Sequence, residues 1–170
     1  YPLPEAQLDR FLMHVQVDYP AREAEAQIMR LVRGEESESH ADGEKKADEP
    51  KLDPKTVLQA RQEIGKIAIA EPIENYIVAL IYATREPAKL DKDLAKWIQV
   101  GVSPRGSIGL DKVSRSNAWF KGRDYVTPDD VKAVVHDVFR HRLILSYEAH
   151  AAGVTADQVI DRVVELVAVA

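Results

Sequence analysis

The feature that most constrains the fold is a helix-start signal that recurs along the chain. Asp53-Pro54, Ser103-Pro104 and Thr127-Pro128 each place an N-capping side chain directly before a proline. Proline suits the first position of a helix, because its φ is already helical and its missing N–H would be unpaired there. Apolar residues at helical spacing come after each pair. This pattern predicts amphipathic helices that bury one face, and therefore a mostly α-helical bundle.

Further helices are predicted between and after these signals. Residues 3–10 suit one or two helical turns, residues 21–34 are rich in helix formers, and Glu71-Pro72 opens a segment with a broad apolar face. Gly34 is expected to end the second of these helices. Capping boxes are predicted at Thr127 and Thr155, each with an acid or amide three residues later. The expected buried positions include Ile73, Ile77, Leu80, Ile81, Ile108, Val113, Trp119, Val131, Val134, Val135, Val138, Val159, Ile160, Val163, Val164 and Val167.

Two short β elements complete the predicted secondary structure. Alternating apolar residues from Phe11 to Val17 predict a strand that ends before Pro20. Residues 96–102 suit either a strand or an extended connection to the Ser103 cap. The predicted fold class is thus mostly α, a helical bundle with a short N-terminal β element.

The charge of the chain is concentrated in one tract. The net charge is -5 at pH 7, and residues 35–50 hold seven acids against two lysines, which accounts for all of it. That tract has no apolar residue larger than alanine, so we expect a flexible acidic loop at 35–50. The rest of the surface is balanced, which argues against general binding to nucleic acid or anionic membranes. The absence of cysteine excludes disulfides and thiolate metal sites.

Motifs for stand-alone catalysis are scarce in this sequence. The two glycines of residues 101–106 have P-loop spacing, but Ser107 stands where that loop needs a lysine. His136 and His141 are five residues apart, whereas zinc-binding pairs on one helical face are three or four apart. A metal hydrolase therefore has little support, and no metal site is predicted.

Two arginines remain as candidates for chemistry. Arg105 lies in the first turn of the helix opened by Ser103 and Pro104, where the helix dipole disfavours a cation unless an anion is near. Arg10 lies where the predicted short helix gives way to the predicted strand. Each could form an ordinary surface ion pair, or its planar guanidinium could bind phosphate oxygens. The residues alone leave both interpretations open.

Two stretches of the sequence resemble one known family. YPLPEAQLDRFLMHVQVDYP resembles the end of the nucleotide-binding core of MoxR-type AAA+ ATPases, and VGVSPRGS with GRDYVTPDDVKAVVHDVFRHRL resembles their helical lid. The resemblance implies that residues 1–20 are the end of the core, a short helix and strand, and that residues 21–170 are the lid domain. It also implies a longer protein whose Walker A and Walker B motifs precede Tyr1.

The resemblance assigns roles to the two arginines by position. Arg105 corresponds to the sensor-2 arginine, which reaches from the lid to the γ-phosphate, with Ser103 and Pro104 beside it at the nucleotide. Arg10 corresponds to the arginine finger that acts on the nucleotide of the neighbouring subunit. Gly106 departs from the alanine usual in the family, which lowers helix propensity and is expected to loosen Arg105.

The resemblance also implies cofactors and partners. The intact protein is expected to use ATP and Mg²⁺, to assemble through its own N-terminal AAA+ core into a homo-oligomeric ring, often hexameric, and to act in the cytoplasm. Its expected activity is ATP hydrolysis that drives chaperone-like remodelling or maturation of partners, such as proteins with von Willebrand factor A-type domains. This fragment alone is expected to bind no cofactor and to be inactive. The alternative is a stand-alone helical protein-interaction module without a nucleotide role.

Overall fold

The computed structural model describes residues 3–39 and 52–169 of the chain. These residues form two compact units. The first contains the described residues up to Val15 and those from Gln59 onward, and the second runs from Gln16 to Leu58. The predicted division near residue 20, between core and lid, stays a prediction.

The described residues are mostly helical, as predicted. The helices are α1 (Glu5–Leu8), α2 (Arg22–Ser39), α3 (Pro54–Ile64), α4 (Glu71–Arg85), α5 (Lys92–Trp97), α6 (Pro104–Phe120), α7 (Pro128–Phe139), α8 (Tyr147–Ala151) and α9 (Ala156–Leu166). A small antiparallel sheet pairs β1 (Ile98–Val100) with β2 (Ile144–Leu145). The fold class, a helical bundle with a small β element, is confirmed.

The helix starts agree with the predicted capping chemistry. The hydroxyl of Ser103 accepts a hydrogen bond from the backbone N–H of Arg105 at 3.2 Å. Capping boxes are present at the starts of α7 and α9. At the other end of α6, Gly122 adopts a φ of 70° and stops the helix as expected. Local sequence signals therefore set where these helices begin and end.

The core of the first unit is formed mainly by α4, α6, α7 and α9. The apolar stripes predicted for α4 and α7 are buried, and each such side chain contributes roughly 1.5–3 kcal/mol by leaving water. Ile108 of α6 is wrong as a core prediction, because it is half-exposed. The buried face of α6 carries Gly106, Gly109, Leu110 and Val113, at helical spacing, and Ile108 falls outside that face.

The end predicted for the second helix is wrong. Helix α2 continues through Gly34 to Ser39. A glycine stops a helix by adopting a positive φ, and Gly34 does not adopt one. Residues 35–39, predicted as the beginning of the acidic loop, are therefore helical. Residues 40–50 of that predicted loop lie outside the described residues.

The β element is present at a different place from the one predicted near the N-terminus. Residues 11–20 form neither strand nor helix, and Phe11, Val15 and Val17 are exposed. A strand needs a neighbouring strand that pairs with its N–H and C=O groups, and the two described strands pair with each other and not with residues 11–20. The small sheet instead uses residues 98–100, from the run that was predicted as a strand or extended connection.

Candidate functional site

The start of α6 is fixed against the end of α4. The N–H of Val102 donates to the hydroxyl of Thr84 at 3.0 Å, and Arg85 Nε donates to the carbonyl of Val102 at 2.8 Å. Ser103 then caps the helix, and Pro104 takes its first position. The backbone that leads into Arg105 is therefore fixed at Val102 and Ser103.

One carboxylate, that of Asp9, faces this helix start. The Ser103 hydroxyl donates to Asp9 Oδ1 at 2.8 Å, and Arg105 Nη1 lies 3.6 Å from Asp9 Oδ2. The side chain of Arg105 is 48% exposed, so the pair is well solvated and worth less than about 1 kcal/mol. The anion that the first turn of α6 requires is thus Asp9, and its hold on Arg105 is weak.

Arg142 binds the same carboxylate from the interior. Its side chain is only 2% exposed, and its Nε donates to Asp9 Oδ1 at 3.2 Å. Its other nitrogens donate to the carbonyls of Asp9, Phe11, Leu12 and Val138. Burial lowers the pKa of Arg142, whereas the charge of Asp9 raises it. With one carboxylate and four carbonyls as partners, this guanidinium keeps its charge in the interior.

The neighbours of Arg142 hold the same stretch of backbone. His141 Nε2 lies 3.0 Å from the carbonyl of Phe11, and Arg140 Nη1 donates to the carbonyl of His14 at 2.7 Å. Burial lowers the pKa of the His141 imidazole, so the neutral ring donates through Nε2. Three consecutive residues after α7 therefore tie down residues 9–14, which we call the anchored segment.

Arg10 lies inside the anchored segment with its side chain exposed. Its N–H donates to the carbonyl of Gln7 at 3.1 Å. Within the part of the chain that the structure describes, its guanidinium has no hydrogen bond or ion pair. The structure brings Ser103, Pro104 and Arg105 together at one helix start. Arg10 directly follows Asp9, the residue whose carboxylate contacts Ser103 and Arg105.

Sequence reasoning missed Asp9 and Arg142 as parts of this site. They are 133 residues apart in the sequence, so no local spacing joins them. One signal was available, because a cation in the first turn of α6 required an anion. Residues 3–39 and 52–169 contain no group of three or more side chains that could hold a metal ion.

Comparison with known proteins decides the family. The family model of the AAA lid domain matches residues 92–163. The chaperone MoxR1 of Mycobacterium tuberculosis is 37% identical over 172 residues, which cover 99% of this chain and 42% of that protein. The chain belongs to the MoxR-type AAA+ ATPases. It carries their lid, and the resemblance seen in the sequence is confirmed.

Two further relatives support the MoxR-type assignment. The protein MoxR of Paracoccus denitrificans is 32% identical, over 86% of this chain and 44% of that protein. The crystal structure of a proposed ATPase from Cytophaga hutchinsonii superposes with a TM-score of 0.88 at 38% identity, over 100% of this chain and 50% of that one. The MoxR-type chain described here spans less than half the length of these two curated relatives. In the described ranges, no helix has both the length and the apolar character needed to span a bilayer.

Proposed function

We propose that this lid serves an ATP-hydrolysing AAA+ machine, with Arg105 as its sensor-2 residue and Arg10 as its arginine finger. The observation that carries the proposal is the state of Arg105. It lies at the positive end of a 17-residue helix, half-exposed, and only loosely paired with Asp9. A cation in that position is ready to exchange its partner for a more highly charged anion.

The chemistry of the helix start fits a phosphate. An arginine guanidinium is a cation that offers parallel N–H donors to phosphate oxygens, and the helix dipole adds positive potential at Arg105. A triphosphate carries several negative charges, whereas Asp9 offers one at 3.6 Å in a solvated setting. Phosphate oxygens therefore compete well for Arg105. Bound ATP with Mg²⁺ supplies the transferable phosphoryl group, and the core of the intact protein would hold the metal.

Arg10 is proposed to act across a subunit boundary. Its exposed guanidinium is free to reach a nucleotide held by a neighbour, and an arginine supplied in trans makes hydrolysis depend on ring assembly. The intact protein would then form a homo-oligomeric ring, with a client such as a von Willebrand factor A-type domain protein, in the cytoplasm. The present chain alone would be inactive.

Replacing Arg105 tests the sensor-2 role. In the intact protein, Arg105→Ala should lower ATP turnover at least about tenfold, because a charge that stabilises the transferred phosphoryl group is lost. Arg162→Ala is the matched control, since Arg162 is also half-exposed and pairs with Asp91 at 3.0 Å. The free energy of unfolding of both variants should lie within about 1 kcal/mol of the wild-type value. Unchanged turnover in Arg105→Ala would contradict the proposal and favour a helical interaction module.

A mixing assay tests whether Arg10 acts in trans. Arg10→Ala rings should hydrolyse ATP slowly. Adding subunits with an intact Arg10 and an inactivated nucleotide site of their own should restore turnover, because the added subunits supply the missing arginine to their neighbours. Arg105→Ala should not be rescued in this way, since its nucleotide contact lies within one subunit. Failure of rescue for Arg10→Ala rules out the trans role.

A further inference from the structure

We infer that Asp9 is a positioning residue that couples the start of α6 to Arg10, so that the partner of Arg105 influences how Arg10 is presented. The inference rests on the proposed function, because it concerns the same two arginines. It goes beyond that function by naming the group that connects them.

The carboxylate of Asp9 has three partners that are held with unequal strength. Ser103 and Arg142 bind Oδ1 at 2.8 and 3.2 Å, and Arg105 lies 3.6 Å from Oδ2. Arg142 cannot leave easily, because its buried guanidinium is also bonded to four carbonyls. Arg105 is half-exposed and has the longest contact. When a phosphate arrives, Arg105 is therefore the partner that exchanges.

The backbone transmits that exchange over one residue. Asp9 directly precedes Arg10, and its own N–H donates to the carbonyl of Glu5 at 2.9 Å. On the other side of Arg10, the carbonyl of Phe11 accepts from both His141 and Arg142. Residues on both sides of Arg10 are thus fixed, and one of the fixing groups is the carboxylate that Arg105 touches. A change at Asp9 changes the support of Arg10.

The charge of Asp9 has a second, opposite effect. A carboxylate beside Arg105 competes with phosphate for the guanidinium. Its negative charge also repels the phosphate. Asp9→Asn removes this charge, while its side-chain oxygen can still accept the hydrogen bond from Ser103. The variant should therefore bind ATP more tightly. It should also present Arg10 less well, because the charge that pairs Asp9 with Arg105 and Arg142 is lost. A residue with a merely structural role would not separate these two quantities.

The test measures steady-state ATP hydrolysis by the intact protein, including its nucleotide-binding core. For Asp9→Asn we expect KM to fall about threefold or more and kcat to fall about tenfold. Mixing with subunits that have an inactivated nucleotide site but intact Asp9 and Arg10 should restore kcat and leave KM low. Asp91→Asn is the control, because Asp91 also pairs with an arginine and caps a helix. Its KM and kcat should stay within about twofold of wild type.

The outcomes separate this inference from the proposed function. If Asp9→Asn keeps a wild-type kcat, raises KM or is not rescued by mixing, while Arg10→Ala and Arg105→Ala lose turnover, only the role of Asp9 is wrong. If those two alanine variants keep full turnover, the proposed function itself fails. Should Asp9→Asn not fold, Asp9→Glu decides. Asp9→Glu keeps the charge, so its KM should equal the wild-type value. A lowered kcat that mixing restores supports the positioning role of Asp9. A wild-type kcat overturns that role.

Discussion

Helices α6 and α7 begin with the same signal and differ in what surrounds it. Each has a hydroxyl N-cap followed by proline, Ser103-Pro104 in α6 and Thr127-Pro128 in α7. At the third helical position α7 has Asp130, whose carboxylate closes a capping box, whereas α6 has Gly106, which has no side chain to do so. The carboxylate at the start of α6 is supplied by Asp9 instead.

The carboxylate of Asp130 is enclosed by partners that are close in sequence. It is fully buried and accepts from Arg123 at 2.5 and 2.7 Å, from Lys121 and Asn117 at 3.1 Å, and from the Thr127 hydroxyl at 2.8 Å. Burial alone raises the pKa of Asp130, but the hydrogen bonds from Arg123, Thr127 and Lys121 outweigh it and hold that pKa well below its usual range. Lys121 is half-exposed, but the other partners keep the carboxylate paired without it, so Asp130 fastens the fold.

The carboxylate of Asp9 gathers partners from far along the chain and stays 25% exposed. Ser103 lies 94 residues away and Arg142 lies 133 residues away, and the third partner, Arg105, is half in solvent. The comparison teaches that the enclosed carboxylate of Asp130 fixes the start of its helix. The partly exposed carboxylate of Asp9 instead leaves Arg105 able to change partners. The candidate functional site is at the open one.

Removing the enclosed carboxylate should have the largest effect on stability. Asp130→Ala should lower the free energy of unfolding by about 3–5 kcal/mol, because the Arg123 guanidinium and the Thr127 N–H lose their buried partner. Urea unfolding followed by circular dichroism measures this loss. Asp129→Ala is the neighbouring control, since Asp129 is exposed and acts mainly on the helix dipole, worth less than about 1 kcal/mol. If both variants lose the same free energy of unfolding, the enclosed carboxylate does not distinguish the start of α7 from the start of α6.

Much of the fold was predictable because its signals are local. The caps at Ser103, Thr127 and Thr155 depend on residues within three positions, and the buried stripes of α4 and α7 result from helical spacing. These features need no knowledge of distant contacts. The structure confirms each of them.

The predictions that failed depended on information that is not local. Gly34 suits a helix end, but glycine permits a positive φ without requiring one, and α2 continues through it. Residues 11–17 have the alternation of a strand, yet part of their backbone bonds to α7 and the turn after it, as His14 does with Asp137. Ile108 has an apolar side chain, but the packing of α6 sets which face is buried.

The candidate site was half predictable for the same reason. Ser103, Pro104 and Arg105 are adjacent in sequence, so the cap and the misplaced cation were visible without a structure. Asp9 and Arg142 meet only in three dimensions, and the anion that Arg105 requires could not be identified. The roles of Arg105 and Arg10 toward nucleotide stay predictions, because family membership supports them and no described contact tests them.

Acid should weaken the enclosed carboxylate in a defined pH range. The pKa of Asp130 is lower in the folded state than its usual value of about 3.9, so the unfolded chain binds a proton first. Its contribution is present above about pH 4 and is lost as the pH falls further. Asp130→Asn should therefore be less stable than wild type at pH 7, and the gap should narrow below about pH 4. Unfolding free energies at pH 7, 5, 4 and 3 measure the gap. A gap that stays constant would show that the charge of Asp130 is not what fastens α7.

A methyl group at the third position of α6 tests the other side of the comparison, with the smallest effect. A Cβ at Gly106 would lie 2.1 Å from Val102 Cγ1 and 3.2 Å from Ile81 Cδ1, both on buried side chains. Helix propensity favours alanine by roughly 0.5–1 kcal/mol, but overpacking costs about 1–3 kcal/mol, so Gly106→Ala should destabilise the fold by about 1 kcal/mol. Gly34→Ala is the control, because within residues 3–39 and 52–169 no atom beyond its own helix backbone and chain neighbours lies within 4 Å of its added Cβ, and it should stabilise α2. If Gly106→Ala is stabilising as well, the close approach of α6 to Val102 does not explain the glycine. The backbone under Arg105 would then be looser than the contacts of Ser103 and Val102 imply.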